Sequence, residues 1–194
     1  MARDAVFGGD LPTTGAGAVN ALVSVEGATE DRAAVRAAGE FVAATGGHLT
    51  VLNVMPGGAF ADRQFARERV PDLPRFTLAQ AEEERRRTAE HVAREALAGV
   101  PVEYECVGVV GREPACILAE ARARGCSHVF VVARRRSSLG AVGAEDVVRA
   151  VVESFDGTVT VLREAADADP RPVETVHVPG RGRPTTAGTP HSSR

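Results

Sequence analysis

The sequence contains no lysine: all 23 basic residues are arginine. The composition of a GC-rich genome accounts for that bias, with selection for phosphate-binding guanidinium forks as the alternative. Nor is there an excess of one charge. The 23 arginines face 26 carboxylates, a formal net charge of −3, which removes the electrostatic case for nucleic acid or an anionic membrane as a partner. No stretch approaches the roughly 20 consecutive apolar residues of a membrane helix. The first residues, Met-Ala-Arg-Asp-Ala-Val-Phe-Gly-Gly, hold no apolar run of signal-peptide length. Together these absences predict a cytoplasmic protein. The three cysteines, Cys106, Cys116 and Cys126, form neither a CxxC pair nor a Cys/His cluster. Metal ligation is therefore not expected, and they read as small buried hydrophobes. HExxH, EF-hand, Ser/His/Asp and Cys/His patterns are missing as well. Nothing points to catalysis, so the expectation is a protein that is not an enzyme and carries no obligatory cofactor.

What is present suits one compact domain with tails: 194 residues, 44% of them apolar and 25% charged. Ala21–Val25 has a strand pattern and ends at the Glu26-Gly27 turn. Thr29 is a plausible N-cap, with Glu30 and Asp31 in the first helical turn where the dipole favours carboxylates. Ala34, Val35, Ala38, Phe41 and Val42 then form one helical stripe that Gly46-Gly47 closes. His48–Val54 is a second strand, and Met55-Pro56-Gly57-Gly58 breaks it. Residues 57–76, with Pro71 and Pro74, read as an irregular segment or flap over one sheet edge. A helix begins at Leu78. Its block Glu82–Arg87 reads as a solvated face of (i, i+3) and (i, i+4) pairs, while Ala89, Val92, Ala96 and Leu97 supply its buried side.

Val102–Val107 alternates as a third strand. Gly111-Arg-Glu-Pro114 opens the next helix, its proline in the first turn, with Ile117, Leu118 and Ala121 facing inward. The apolar run His128–Ala133 is that of a strand buried on both faces. Residues 134–144 read as a loop, Glu145–Phe155 as a last helix, and Thr158–Leu162 as a fifth strand. Five strands alternating with four helices predict an α/β fold, a single doubly wound domain with a parallel sheet and helices on both faces. Its expected bounds are 18–164, with a flexible segment 1–17 and a disordered tail 165–194 that is rich in Pro, Gly, Thr, Ser and Arg.

In such sheets ligands bind beyond the carboxyl ends of the strands. That rule selects Ser24–Gly27, Asn53–Pro56, Val109–Glu113 and Ala133–Asp146. His48 and His128 begin strands, lie at the opposite end and read as structural. At the four selected places the chain resembles the universal stress proteins. Ala21–Ala28 (Ala-Leu-Val-Ser-Val-Glu-Gly-Ala) is similar to the family's first strand ending in Val-Asp-Gly-Ser. Leu49–Val54 resembles Leu-Thr-Val-Leu-His-Val, and Gly111–Ala115 resembles Gly-Asp-Pro-Ala. The unit from Val129 to Leu162 resembles the family's closing β-loop-α-β. The resemblance spans about Val19 to Leu162 and implies strand order 3-2-1-4-5.

The resemblance also implies a nucleotide site at Val25, Glu26, Val54, Gly111, Ala133, Arg134, Arg136, Ser137, Gly140 and Gly143. This sequence departs from the pattern there. ATP-binding members carry Gly-x-x-Gly, nine residues, then Gly-Ser or Gly-Thr, so that backbone N–H groups and a helix N-terminus reach the phosphates. Here the first two glycine positions are Ala133 and Arg136. With one residue deleted, or without a gap against relatives with a shorter loop, Gly-Ser aligns with Glu145-Asp146. The first-strand Asp is Glu26. The implied function is a stress-response or signalling protein, a non-catalytic homodimeric binding module with weak or no ATP binding. The alternative is a stress regulator that holds ATP with Mg in a variant loop, where Arg134, Arg135, Arg136, Ser137 and Ser138 form a different anion site. Gly140 and Gly143 would then supply displaced phosphate contacts. The resemblance implies dimerisation through Thr158–Leu162, an edge strand without proline or charge, and leaves room for other protein partners.

Overall fold

A computed structural model describes residues 17–29, 31–133, 144–163 and 174–177. Arg134, Arg136, Ser137, Gly140 and Gly143 lie outside the described residues, as do residues 1–16.

The elements run β1 (Ala21–Val25), α1 (Asp31–Thr45), β2 (His48–Pro56), α2 (Gly57–Glu68), α3 (Leu78–Ala96), β3 (Glu103–Gly111), α4 (Glu113–Ala123), β4 (His128–Ala133), α5 (Ala144–Ser154), β5 (Thr158–Arg163) and β6 (Glu174–His177). β1 to β5 are parallel neighbours in the order 3-2-1-4-5, as the resemblance implies.

Alternation along the strands builds two cores. Ala21, Val23, Val25, Leu49 and Val51 face α1 and α3, meeting Ala34, Val35, Ala38, Val42, Ala89, Val92 and Ala93. Leu22, Leu52, Val129, Val131 and Val159 face α4 and α5, meeting Ile117, Ala121, Val151 and Phe155. β1 sits mid-sheet between β2 and β4, so all five of its residues are buried. The three cysteines are free, Cys126 buried and the other two half-buried.

The helix α3 shows local rules at work. Thr77 accepts from the Gln80 backbone N–H at 3.2 Å, and the Gln80 side chain accepts from the Thr77 N–H at 3.0 Å, a complete capping box. The block Glu82–Arg87 forms the expected surface pairs, among them Arg86 with Glu83 and Glu90, and Arg87 with Glu83.

Two elements differ from the sequence expectation. Residues 57–68, read as irregular, form a fifth helix, α2. It buries none of its residues fully, and Gly57-Gly58 masks its start. It rests on the ends of β2 and β3 through Phe60, which packs against the cluster of Met55, Phe76 and Ala81. The second difference lies in the segment read as a disordered tail. Glu174–His177 forms β6, antiparallel to β5 with Val159 opposite Val176 and Thr160 opposite Thr175. The sheet therefore has six strands, and β5 is not its edge. An edge strand with no proline or charge pairs readily with the nearest extended segment. Here Pro172 and Pro179 bracket the residues able to supply one.

Candidate functional site

Parallel pairing brings the C-terminal ends of β1 to β5 to one side of the sheet. The connections from β1 and from β4 leave in opposite directions, toward β2 and β5, which opens a crevice between the ends of β1 and β4. Val25 and Ala133 are the last residues of those strands and flank it. Val25 is buried and Ala133 half-buried. Val54, near the end of β2, is half-buried and packs with the α4–α5 core. Gly111 ends β3 opposite Pro56 and leads into α4. A Cβ on Gly111 would lie 2.7 Å from Cys116 Sγ, so the glycine lets the first turn of α4 close onto the strand.

The loop after β1 carries a cluster of hydrogen bonds at this rim. Gly27 adopts φ +99°, which L side chains disfavour. The bend turns three successive backbone N–H groups inward. Those of Glu26, Gly27 and Ala28 donate to Asp31 Oδ2 at 2.9, 2.7 and 2.8 Å. Asp31 is fully buried at the first position of α1, where the helix dipole favours its charge. Such a nest of N–H groups is an anion site in many proteins; here the chain's own carboxylate fills it. The carboxylate of Asp31, two residues after Thr29, serves the loop donors rather than the first helical N–H groups. The sequence marks Asp31 as a first-turn acid but not as the centre of the loop, because that role depends on the bend at Gly27.

A second polar link crosses the rim. Ser24 Oγ donates to Glu113 Oε1 at 3.3 Å, joining β1 to the N-terminus of α4. Asn53, 1% exposed, donates through Nδ2 to the Val25 carbonyl at 2.7 Å and ties β2 to β1. Its enclosed Oδ1 has no hydrogen-bond partner among the described residues. That atom is an acceptor and offers nothing to phosphate oxygens. Sequence reasoning places Asn53 at the rim without assigning it a role; its signal is a lone amide in an apolar strand.

Carboxylates accumulate around the crevice. Glu26 follows β1, Asp31 opens α1, Glu113 opens α4, and Glu145 and Asp146 lie in the first turn of α5. Asp146 pairs with Arg149 at 3.6 Å. Glu26, Asp31, Glu113 and Asp146 all make further interactions. The Cys116 thiol beside Gly111 is pushed up, by burial first and then by Glu120 and Glu113. Among the described residues no group of His, Cys, Asp and Glu could hold a metal ion. Among the described residues, the N–H nest after β1 is taken by Asp31, and the first turn of α5 carries Glu145 and Asp146.

His48 and His128 lie at the other end of the sheet, as expected. His128 is 7% exposed. Its Nε2 lies 2.7 Å from Thr160 Oγ1, its ring stacks on Phe130 at 4.4 Å, and Phe41 meets it edge-on at 4.6 Å. Burial lowers its pKa to about 4.

The fold defines a doubly wound α/β protein, with its crevice at the reversal of strand order. The model of the universal stress protein family matches residues 20–163. The chain belongs to that family. Solved structures with the same fold include the hypothetical protein MJ0577, at TM-score 0.56 and 17% identity, covering 77% of this chain and 99% of that one. A member of the family from Burkholderia pseudomallei has TM-score 0.50 and 19% identity, covering 77% and 97%. A universal stress protein in complex with cAMP has TM-score 0.50 and 16% identity, covering 75% and 96%. No curated protein matches the chain. No helix among the described residues is long and apolar enough to cross a membrane.

Proposed function

We propose that this chain is a stress-response or signalling module that acts by association, without turning over a substrate, and holds ATP weakly or not at all. The observation that carries this reading is the loop nest of Glu26, Gly27 and Ala28, whose three N–H groups all donate to Asp31. A ligand phosphate would have to displace a fully buried carboxylate to use them. The acids at the start of α5 add repulsion where the family's glycine and hydroxyl residues would receive an anion.

Calorimetric titration with ATP and Mg²⁺ tests this. The expected affinity is weaker than about 100 μM, or roughly −5.5 kcal/mol. Micromolar binding, or nucleotide that co-purifies with the protein, would overturn it and establish the variant-loop regulator instead. The double substitution Glu145→Gly with Asp146→Ser is expected to strengthen binding; no gain would remove the electrostatic explanation.

Association as a homodimer through Thr158–Leu162, when β6 leaves that edge, belongs to the same proposal. The segment is uncharged and self-complementary about its midpoint. In an antiparallel pair centred on Thr160, Val159 would meet Val161 of the second copy on one face. On the other face Thr158 would meet Leu162.

A further inference from the structure

We propose that β6 is a tethered occupant of the β5 edge, and that it and a second copy of this chain compete for that edge. The inference rests on the dimer reading above and adds its control. β5 is paired on both sides: with β4 over Thr158–Arg163 and with β6 over Thr158–Val161. A strand has only two edges, so another chain cannot add to this stretch of β5 while β6 is in place.

Three features make the occupancy exchangeable. β6 is four residues long, and Pro172 and Pro179 limit how far pairing can extend, since neither can donate to a ladder. Ten residues, 164–173, separate it from β5; a tether of that length gives a high effective concentration. A second copy of β5 offers a longer match than β6 does, five residues against four. It also brings apolar side chains to both faces. Val161 packs toward the α4–α5 core and Leu162 toward the α1–α3 core, and both remain half-buried with β6 in place. The described β5–β6 pairs run from Thr158 to Val161, and Leu162 lies beyond them.

The test keeps the full chain. Thr175→Pro combined with Val176→Pro removes a backbone donor at both strand parities in β6 and leaves residues 20–163 untouched. Sedimentation velocity at about 50 μM is expected to show the wild-type chain mainly as a monomer of 20.3 kDa and the proline variant mainly as a dimer, a shift in dissociation constant of at least about tenfold. A synthetic peptide spanning residues 170–180, added to the proline variant, is expected to return it to monomer. Val161→Asp in the proline background is expected to do the same without the peptide. Circular dichroism checks that each variant retains its fold, and the peptide arm stands on the proline variant alone if Val161→Asp does not fold. A folded proline variant that stays monomeric would overturn both the competition and the dimer reading. Wild type and proline variant dimerising equally, with Val161→Asp dissociating both, would overturn the competition while keeping the dimer. A wild-type dimer that the proline pair dissociates would overturn the proposal in favour of β6 exchanged between copies.

Discussion

Acidification should expose how much of the fold depends on His128 remaining neutral. The ring is enclosed by Phe41 from α1, Phe130 from β4 and Thr160 from β5, and burial alone accounts for the fall of its pKa from 6.5 to about 4. The native state therefore refuses a proton that the unfolded chain accepts. Above pH 6.5 both states are neutral and the full stability is present. Between pH 6.5 and about 4 the unfolded state alone is protonated, and stability falls by about 1.4 kcal/mol per pH unit. Below about pH 4 both states are charged and this contribution is gone. The difference of 2.5 units corresponds to about 3 kcal/mol in total. His128→Phe keeps an aromatic ring between Phe41 and Phe130 and cannot titrate. All other ionisable groups are common to both proteins, and their contributions cancel in the comparison. Urea unfolding at pH 7.5 and pH 4.0, followed by circular dichroism because the chain has no tryptophan, gives the stability of each. The variant loses the Thr160 contact and should be the less stable protein at pH 7.5. Relative to wild type it should gain about 3 kcal/mol on moving to pH 4.0. A wild-type-minus-variant difference that changes by less than about 0.5 kcal/mol between the two pH values would refute the burial argument.

Asp31→Ala removes the shared acceptor of three backbone donors and should cost about 3 kcal/mol by urea unfolding; Asp31→Asn, which keeps an oxygen without the charge, should cost roughly half of that. Sulfate in the tens of millimolar should restore part of the loss in Asp31→Ala by entering the vacated nest, and a cost below about 1 kcal/mol would show that water serves those N–H groups equally well. All three thiols are pushed up by burial, Cys106 to about 11. At pH 8 the native protein should react slowly with a thiol-specific disulfide reagent, and all three cysteines should react within minutes in urea; rapid native labelling at Cys106 would contradict its burial.

Much of the architecture is local and therefore readable from the chain. The run His128–Ala133 is apolar because β4 is covered on both faces, and the stripe Ala34, Val35, Ala38 and Val42 follows from one helix face meeting one sheet. Gly27, Gly46, Gly99 and Gly125 interrupt these patterns with positive φ, so the ends of elements are legible too. Element order alone places the strand ends on one side of the sheet; the choice of Val25, Gly111 and Ala133 among them comes from the resemblance. Tertiary structure decided the rest. α2 escapes notice because it buries no residue fully and begins at Gly57-Gly58. β6 escapes because four residues of Glu-Thr-Val-His carry little pattern and owe their pairing to an open edge elsewhere in the sheet. The capture of three N–H groups by Asp31 needs the bend at Gly27, and the depressed pKa of His128 needs rings delivered by two other positions, Phe41 and Phe130. Periodicity is a property of neighbours along the chain, whereas edge pairing, nest filling and desolvation depend on what arrives from a distance.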